Sequence, residues 1–568
     1  MPDKAGTPQK TIVIGLDGAT LDLILPWAQE GRLPALQRMI EEGTIGELRS
    51  TIQPLTAPAW VSFMTGMNPG NHGIYDFIRR KPNSYDVELV YAGNLRRKTL
   101  WAILSERGKR VGAINVPMMY PPQPVNGFLI SGIDTPGLGS PFVYPPDLYN
   151  ELKNNVGDYI IAVSGNDDEE WAQGFRSMVD IRTRVFDYLR RNTAWDCLMV
   201  VYAATDMSQH VFWKNMEGLN SDSPSPEDLK YGGTILEVYQ SIDRMLGNLL
   251  AEVDDNTTIL IMSDHGAGPI KRAVYMNKWL EEQGWLVPRE SSETSAATSL
   301  GLRMTRGVIR KALFAGKRYL PAQARGWLKR NLPGIRDSIE GFMLSSVLDW
   351  SRTKAFSLGS YGGICLNLKG REPQGTVEPG SEAEDVYGQI AAALEDLKDP
   401  VTGEPVVEKV HRKQELYWGE YLEYAPDLIV EWKNYEYDCR QRFGTEETKV
   451  FSDELSFGDL QDEQKMSAVH RLHGTLMLRG GHVLRGHRIK GAQIIDLAPT
   501  ILYLLGQPVP KSMDGRVLAE ALDEQYVASH PISYVDEAAD ERGPAQGGYT
   551  DEESQAITDR LRGLGYLQ

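Results

Sequence analysis

The sequence predicts a doubly wound α/β fold with a mostly parallel central sheet and an inserted cap region. Short β-branched apolar runs, typical of strands buried in parallel sheets, recur along the chain. Three of them, at 11–16, 197–203 and 257–263, are followed at once or within three residues by an aspartate. The composition then changes between about 287 and 460, and the strand and helix patterns of the core resume after it.

The N-terminal part of the chain predicts the first strand and its crossover helix. TIVIGL at 11–16 forms the strand, which ends in Asp17-Gly18, and LDLILPWAQ has the pattern of a helix. Further strands are predicted at 110–117 and 127–131, and a long amphipathic helix at 171–193. Later in the chain, 475–478 predicts a strand and 494–505 a helix.

The segment QPLTAPAWVSFMTGMNPGNHGIYDF, from Gln53 to Phe77, contains the candidate nucleophile, Thr56. Pro58 suits the first turn of a helix, so Thr56 is expected at or near the N-cap of a helix over 57–64. A phosphate held there would meet free backbone N–H groups and the positive end of the helix dipole. The alternative is an ordinary capping threonine, because a hydroxyl is a weak nucleophile unless a base or a metal activates it.

The ends of the predicted strands carry residue types that bind metals. In an open α/β sheet the carboxyl ends of the strands lie along one rim, where ligands bind. A mixture of carboxylates and imidazoles suits zinc, manganese or iron. The candidate ligands are Asp17, Asp206, His210, Asp264, His265 and His470.

The spacing of these residues sets conditions on shared metal binding, and some of them have an alternative role or a rival. Asp206 and His210 would share one face of a helical turn, whereas the neighbours Asp264 and His265 can serve one metal only on a turn. Asp17, ahead of Gly18, could instead cap the next helix. His473 is a rival to His470 as a ligand, and we expect His482 and His487, which lie among Gly and Arg, to be solvated.

Six motifs resemble the alkaline phosphatase superfamily, most closely its type I phosphodiesterase/nucleotide pyrophosphatase branch. They run in order from one end of the predicted core to the other, whereas the cap region has little in common with the superfamily core. The motifs are DG at 17–18, TAPAWVSFMTGMNPGNHGI from Thr56, TDMSQH from Thr205, SDHG from Ser263, HRLHG from His470 and IIDLAPTILYLLGQPVPKSMDGRVL from Ile494.

The resemblance implies two divalent metal ions, zinc in the first place, with manganese or iron as alternatives. Asp206, His210 and His470 would hold one ion, and Asp17, Asp264 and His265 the other. Thr56 would bridge toward both as the nucleophile. Two cations about 4 Å apart can activate a hydroxyl, hold a phosphoryl oxygen and neutralise the leaving oxygen.

The implied activity is hydrolysis of a phosphodiester, or of a phosphomonoester, through a phosphothreonine intermediate. The expected partner is a small phosphate-ester substrate. The alternatives are a phosphomutase or phosphotransferase that uses the same site, and a non-catalytic binding protein that retains the fold.

This sequence differs from two branches of the superfamily, the sulfatases and the nucleotide pyrophosphatases, at one motif each. Sulfatases require a Cys or Ser followed by x-Pro-x-Arg, whereas this chain has TAPAW from Thr56, which excludes an ordinary sulfatase. Nucleotide pyrophosphatases place an asparagine just beyond the HGI motif, where this chain has Phe77, so we do not expect a plain nucleotide as substrate. The candidate phosphate contacts, each with a surface charge as its alternative, are Arg79, Arg80, Lys81 and Arg471.

Composition narrows the class of protein. A net charge of −17 over 568 residues argues against general nucleic-acid binding. Cys197, Cys365 and Cys439 are widely separated, which is typical of a reducing compartment. The N-terminal residues show no signal-peptide core, and no stretch is long and apolar enough to span a bilayer. We therefore expect a cytoplasmic, soluble protein.

The predicted domains are a discontinuous catalytic core at 1–286 and 461–528, an inserted cap or substrate region at 287–460, and an acidic, partly loop-like tail at 529–568. Within the cap we expect a polar linker at 287–300, a strand in 354–371 and a helix at 382–397. Residues 301–336 carry many Lys and Arg and no Asp or Glu. This basic segment is either a solvated outer face or a contact with an anionic membrane surface or a polyanionic substrate.

Overall fold

The computed structural model describes residues 9–163, 165, 167–289, 348–440, 449–453, 466–536 and 548–563. Its strands are β1 (Lys10–Leu16), β2 (Thr44–Arg49), β3 (Ile78–Arg80), β4 (Val87–Leu89), β5 (Val111–Val116), β6 (Gly127–Ser131), β7 (Val143–Tyr144), β8 (Cys197–Tyr202), β9 (Thr257–Met262), β10 (Gly266–Pro269), β11 (Arg272–Tyr275), β12 (Ala355–Ser357), β13 (Ile364–Leu366), β14 (Val407–Arg412), β15 (Leu428–Trp432), β16 (Tyr437–Arg440), β17 (Phe451–Ser452), β18 (Ala468–Arg471), β19 (His473–Arg479), β20 (His487–Arg488), β21 (Ala492–Gln493), β22 (Val509–Pro510) and β23 (Tyr534–Val535).

The helices alternate with these strands through most of the core. They are α1 (Leu21–Gln29), α2 (Pro34–Glu42), α3 (Thr56–Thr65), α4 (Pro69–His72), α5 (Leu100–Glu106), α6 (Asp147–Asn155), α7 (Asp168–Asn192), α8 (Ala204–Leu219), α9 (Pro226–Tyr231), α10 (Thr234–Glu252) and α11 (Met276–Glu282), followed by helices at Ser381–Glu395, Lys413–Leu416, Leu497–Leu504, Glu524–Ser529 and Asp551–Gly563.

A large, mostly parallel sheet forms the centre of the molecule and confirms the predicted fold class. Its strand order is β20-β2-β19-β9-β1-β8-β5-β6-β7, with β21 beside β2. The five strands from β9 to β6 run parallel, and β19 and β7 join them antiparallel. Almost every residue of β1, β5 and β8 is buried, as expected for strands covered by helices on both faces.

Most predicted core elements lie within a few residues of the observed ones. The strand predicted at 127–131 and the helix LDLILPWAQ agree with β6 and α1 at both ends. The helix predicted at 171–193 is α7, which begins at Asp168 because Asp167 caps it by accepting the Glu170 N–H. The helix predicted at 494–505 is a 3₁₀ turn followed by a helix.

A second hydrophobic core lies outside the central sheet. Most of it comes from 272–286 and 348–440, around the sheet β12-β13-β15-β14, and Leu55, Tyr85 and Val469 also belong to it. The strand predicted in 354–371 is instead two short antiparallel strands, β12 and β13, because the chain turns at Ser360–Gly362. The helix predicted at 382–397 is present as Ser381–Glu395.

The C-terminal tail contains a helix that the acidic composition does not indicate. In Asp551–Gly563 the side chains of Ile557 and Leu561 are 1% exposed and belong to the central hydrophobic core. Arg560 donates hydrogen bonds to the carbonyls of Ile133 and Pro136, both at 3.0 Å. These contacts dock the helix on the loop that follows β6.

Two sequence predictions concern residues that the structure does not describe. The basic segment 301–336 and the linker beyond residue 289 lie outside the described residues, so the predicted membrane contact stays a prediction. None of the helices in the described part combines the length and apolar character that a membrane crossing requires.

Candidate active site

The six candidate metal ligands lie together at the carboxyl ends of the central strands. Asp17 follows β1, Asp206 lies in the first turn of α8 after β8, and Asp264 and His265 lie between β9 and β10. His470 joins them from far along the chain because β18 pairs antiparallel with β10. All six residues are at most 3% exposed.

Asp206, His210 and His470 form a first group whose ligand atoms all lie within 4.8 Å of one another. His210 Nε2 lies 3.3 Å from Asp206 Oδ2 and 3.1 Å from His470 Nε2. Asp206 and His210 are one turn apart on α8, which is the arrangement that their spacing predicts.

Asp17, Asp206 and His265 form a second group with the same spread. His265 Nε2 lies 3.6 Å from Asp17 Oδ1 and 3.2 Å from Asp264 Oδ2. Asp264 and His265 lie on a bend, which lets both side chains face the cluster. Asp206 belongs to both groups, whereas the resemblance places it in one of them only.

The three histidines present the same nitrogen to the cluster. The Nδ1 atoms of His210, His265 and His470 lie 2.7, 3.0 and 2.8 Å from the backbone carbonyls of Ala468, Gly266 and Pro54. A carbonyl can only accept, so each Nδ1 carries a proton, and each Nε2 points into the cluster, where it can bind a metal ion once it carries no proton. The Nε2 atoms of His210 and His470 therefore face each other at 3.1 Å, an arrangement that a shared cation stabilises.

The buried carboxylates also need a positive charge beside them if they are to be ionised. Burial and the charges of Asp264 and Asp206 raise the pKa of Asp17 well above its usual value, and burial raises the pKa of Asp264 to about 6. Burial also opposes ionisation of Asp206, but His210 brings the pKa of Asp206 below its usual range. Among the described residues, Asp17 Oδ1 and Asp264 Oδ2 have no hydrogen-bond partner. This buried oxygen and nitrogen donor set fits a divalent metal site.

Helix α3 brings Thr56 to the edge of the second group. The helix begins at Thr56 itself with Leu55 at the N-cap, so the Thr56 hydroxyl does not cap it. Thr56 Oγ1 lies 3.2 Å from His265 Nε2. The Thr56 hydroxyl donates to that nitrogen when the nitrogen carries no proton, and the positive end of the α3 dipole lies beside the cluster.

Close packing around the ligands explains why glycine follows Asp17 and why Trp60 lies one turn after Thr56. Gly18 adopts a φ of +65°, and a Cβ there would lie 2.5 Å from Asp206 Oδ1. The Gly18 N–H donates to Asp264 Oδ1 at 3.2 Å, and Trp60 Nε1 donates to Asp17 Oδ2 at 3.2 Å. The motifs thus supply both the ligands and the groups that orient them.

Tyr361, from the predicted cap, contacts the site and was missed by sequence reasoning. Its hydroxyl accepts the backbone N–H of His470 at 3.2 Å. Its carbonyl accepts from Gln53 Nε2 and from Trp432 Nε1, both at 3.0 Å. Its φ is +62°, and the neighbouring glycines of GSYGG were the available signal that a tight turn lies there.

The remaining sequence candidates lie away from the cluster. His473 is exposed and belongs to neither metal group, and His482 and His487 are partly exposed. Arg471 donates to the backbone carbonyls of Tyr435 and Pro269, which gives it a structural role in this conformation.

Arg79, Arg80 and Lys81 line a cavity of about 340 Å³ between residues 75–83 and the second core. Arg79 forms an ion pair with Glu88, and Arg80 forms one with Glu372. None of the six candidate ligands lines this cavity, so the structure does not bring the basic residues to the metal cluster.

The sequence profile of the type I phosphodiesterase/nucleotide pyrophosphatase family matches residues 11–449. The chain belongs to this family. The matched range contains Thr56 and five of the six candidate ligands; His470 lies beyond it. A comparison with curated protein sequences gives no match.

Solved structures resemble this chain at low sequence identity. Phosphonoacetate hydrolase from Sinorhizobium meliloti 1021, in complex with phosphonoformate, is 15% identical with a TM-score of 0.51, over 88% of this chain and 95% of that one. Murine ectonucleotide pyrophosphatase/phosphodiesterase 5 is 12% identical with a TM-score of 0.48, over 91% of this chain and 100% of that one.

This chain packs Phe77 into its interior. Phe77 stands where we expect nucleotide pyrophosphatases to have an asparagine, is 1% exposed and belongs to the central hydrophobic core. It therefore supplies no polar group to a bound phosphate in this conformation.

Proposed function

We propose that this chain is a metal-dependent phosphohydrolase that cleaves a phosphodiester, or a phosphomonoester, through a covalent intermediate on Thr56. The observation that carries the proposal is the position of the Thr56 hydroxyl, at the start of α3 and 3.2 Å from His265 Nε2. Family membership supports phosphoester hydrolysis as the reaction class. The buried aspartates and histidines support a metal requirement.

The donor set supports a proposal of two divalent ions. Asp206, His210 and His470 would hold one, and Asp17, Asp264 and His265 the other, with Asp206 close enough to serve both. When bound, such ions lower the pKa of a nearby hydroxyl and neutralise charge on a phosphoryl group. Zinc suits the three imidazole nitrogens, and manganese and iron are the alternatives.

The chain itself supplies the nucleophile and its orientation. Thr56 Oγ1 forms a bond to phosphorus while the bond from phosphorus to the leaving oxygen breaks, and the leaving group takes that electron pair. The hydroxyl proton leaves Oγ1 for solvent as this bond forms, and the leaving oxygen takes up a proton from solvent as required. The oxygen of a water molecule then bonds to phosphorus while the bond from phosphorus to Oγ1 breaks, and Oγ1 takes up a proton, which restores the hydroxyl. An alcohol in place of water would give transfer instead of hydrolysis.

Substrate access requires the second core to move away from the nucleophile. Thr56 is fully buried, and the segment before it is held by Tyr361, whose carbonyl accepts from Gln53. Tyr417 also donates its hydroxyl to the Ile52 carbonyl. We infer that opening of these contacts admits the substrate and that their closure excludes water.

The test compares a bis(nitrophenyl) phosphate diester with the matching monoester, with metal-loaded protein. Thr56→Ala should lower kcat on the preferred substrate by about 10³-fold or more because it removes the attacking oxygen, and Thr56→Ser should retain part of the activity. Thr65→Ala, at the other end of α3, is the matched control: its hydroxyl bonds only the Val61 carbonyl in the described structure.

The outcomes separate the possible functions. Loss of turnover in Thr56→Ala but not in Thr65→Ala supports the proposal, and the ratio of the two substrates assigns diesterase or monoesterase. Competition by an added alcohol for the product would indicate a transferase. Full activity of Thr56→Ala would overturn the assignment of the nucleophile, and tight metal binding without turnover of any phosphoester would indicate a binding protein.

A further inference from the structure

Arg182 of helix α7 is a buried cation that the protein only partly satisfies. Its side chain is 1% exposed, and its Nη2 donates to the Ile161 carbonyl at 2.8 Å. Its Nε and Nη1 have no hydrogen-bond partner among the described residues. A guanidinium carries five N–H donors and stays protonated in proteins, so this arrangement leaves a charge and several donors unmatched.

Asn115 carries a second unmatched donor, and like Arg182 it contacts the segment 159–161. It is 3% exposed, lies in the left-handed backbone region with a φ of +63°, and its Nδ2 has no partner in the described part of the chain. Its Oδ1 accepts the Tyr159 hydroxyl. Arg182 bonds Ile161, so the two side chains reach residues 159–161 from different elements, β5 and α7.

The electrostatics of Tyr159 place the Arg182 charge nearby. Burial raises the pKa of Tyr159 to about 12, and the Arg182 charge is the first influence that opposes this rise. Burial lowers the pKa of Arg182, and the groups that oppose it are Tyr159, Tyr202 and Asp17. Asn115 lies near the carboxyl end of β5, which pairs with β8 as β1 does, so its amide lies toward the same rim of the sheet as Asp17.

We propose that Arg182 and Asn115 bind a small monovalent anion of about the size of chloride. Leaving a guanidinium unpaired in the interior carries a large free-energy cost, and an anion that accepts from Nε, Nη1 and the Asn115 amide removes it. Because both side chains are almost fully buried, the occupant is a free ion without an attached organic group. This site is independent of the proposed hydrolase activity.

The experiment measures thermal unfolding of the full chain in sodium chloride, bromide and gluconate at equal ionic strength. Gluconate is too bulky for the site, so chloride or bromide should raise the melting temperature of the wild type by about 2 °C or more at concentrations well above Kd. Arg182→Met should lose this increment. Arg184→Gln is the matched control, because Arg184 is half exposed on the same helix and forms an ion pair with Asp180.

Asn115→Asp keeps the test decisive if Arg182→Met fails to fold. Aspartate tolerates the same backbone conformation and places a carboxylate beside the guanidinium. The variant should unfold in gluconate at about the temperature of the wild type in chloride, with no further halide increment. Crystals grown in bromide should show an anomalous scattering peak beside Arg182.

Three results would overturn the proposal. The first is an equal halide increment in the wild type, Arg182→Met and Asn115→Asp. The second is the absence of any halide increment in the wild type. The third is a bromide crystal with water, and no anomalous peak, at the guanidinium.

Discussion

Replacing Gly18 by alanine is the sharpest available perturbation of the candidate metal site, because it leaves every ligand in the sequence. Gly18 adopts a φ of +65°, and an added Cβ would lie 2.5 Å from Asp206 Oδ1 and 2.9 Å from Asp206 Cβ. Ordinary contact at this position begins near 3.4 Å, so the carboxylate must shift by about 0.9 Å, the difference between 3.4 and 2.5 Å. Asp206 belongs to both metal groups, so both should be affected.

Two separate costs follow from this substitution. Alanine in the left-handed backbone region costs about 1–2 kcal/mol of stability. Displacement of a ligand by nearly 1 Å should lower metal affinity by about 10- to 100-fold, as changes in the groups that orient ligands do. Gly31→Ala isolates the first cost, because Gly31 has a φ of +74° and an added Cβ there meets nothing within 4 Å.

The assay measures unfolding in urea, with chelator and with zinc, for both variants and the wild type. In chelator, Gly18→Ala should lose at least as much stability as Gly31→Ala. In zinc, Gly31→Ala should regain the full metal-dependent stabilisation, and Gly18→Ala should regain much less of it. Equal zinc stabilisation of the two variants would refute the placement of Asp206 at the metal site.

Three further predictions concern the surroundings of the site. Tyr361→Phe removes the hydroxyl that accepts the buried His470 N–H and should lower the free energy of unfolding in urea by about 1–3 kcal/mol, whereas Tyr435→Phe, which removes a buried hydroxyl that has no partner among the described residues, should not lower it. Burial raises the pKa of Asp134 to about 6 from 3.8, so folding binds a proton and stability falls as pH rises through this window; Asp134→Asn should gain on the wild type by about 1–2 kcal/mol between pH 5 and pH 8 in urea unfolding. Ile557→Ala should cost about 2–4 kcal/mol by the same assay if the tail helix docks as described, and no loss would show that it does not.

The sequence was sufficient for the parts of the site that depend on local pattern. Each of the strands β1, β8 and β9 is a short apolar run, and the residue types that follow it are visible without a structure. The parallel-sheet rule then places Asp17, Asp206 and Asp264 along one rim. The one-turn spacing of Asp206 and His210 likewise follows from helix geometry.

Contacts between distant segments do not follow from local sequence pattern. His470 reaches the cluster only because β18 pairs with β10, and no local pattern specifies that pairing. Tyr361 contacts His470 because a tight turn splits the predicted strand of 354–371 into β12 and β13. The unmatched donors of Arg182 depend on which neighbours it lacks, and a sequence does not show this.

Local rules also left some details open. Thr56 was predicted at or near the N-cap; it is the first helical residue after the N-cap Leu55, and its hydroxyl faces His265. The acidic composition of 529–568 did not indicate that Ile557 and its neighbour one turn later pack against the core. In both places tertiary packing decided the outcome.

The most direct test of the central proposal is to trap the intermediate on Thr56. Metal-loaded protein is mixed with the preferred phosphoester, quenched in acid during turnover, digested and examined by mass spectrometry. We expect phosphorus-containing mass on the peptide that spans Thr56, absent from Thr56→Ala treated in the same way. Steady turnover with no modified peptide, or with the label on another residue, would contradict the account.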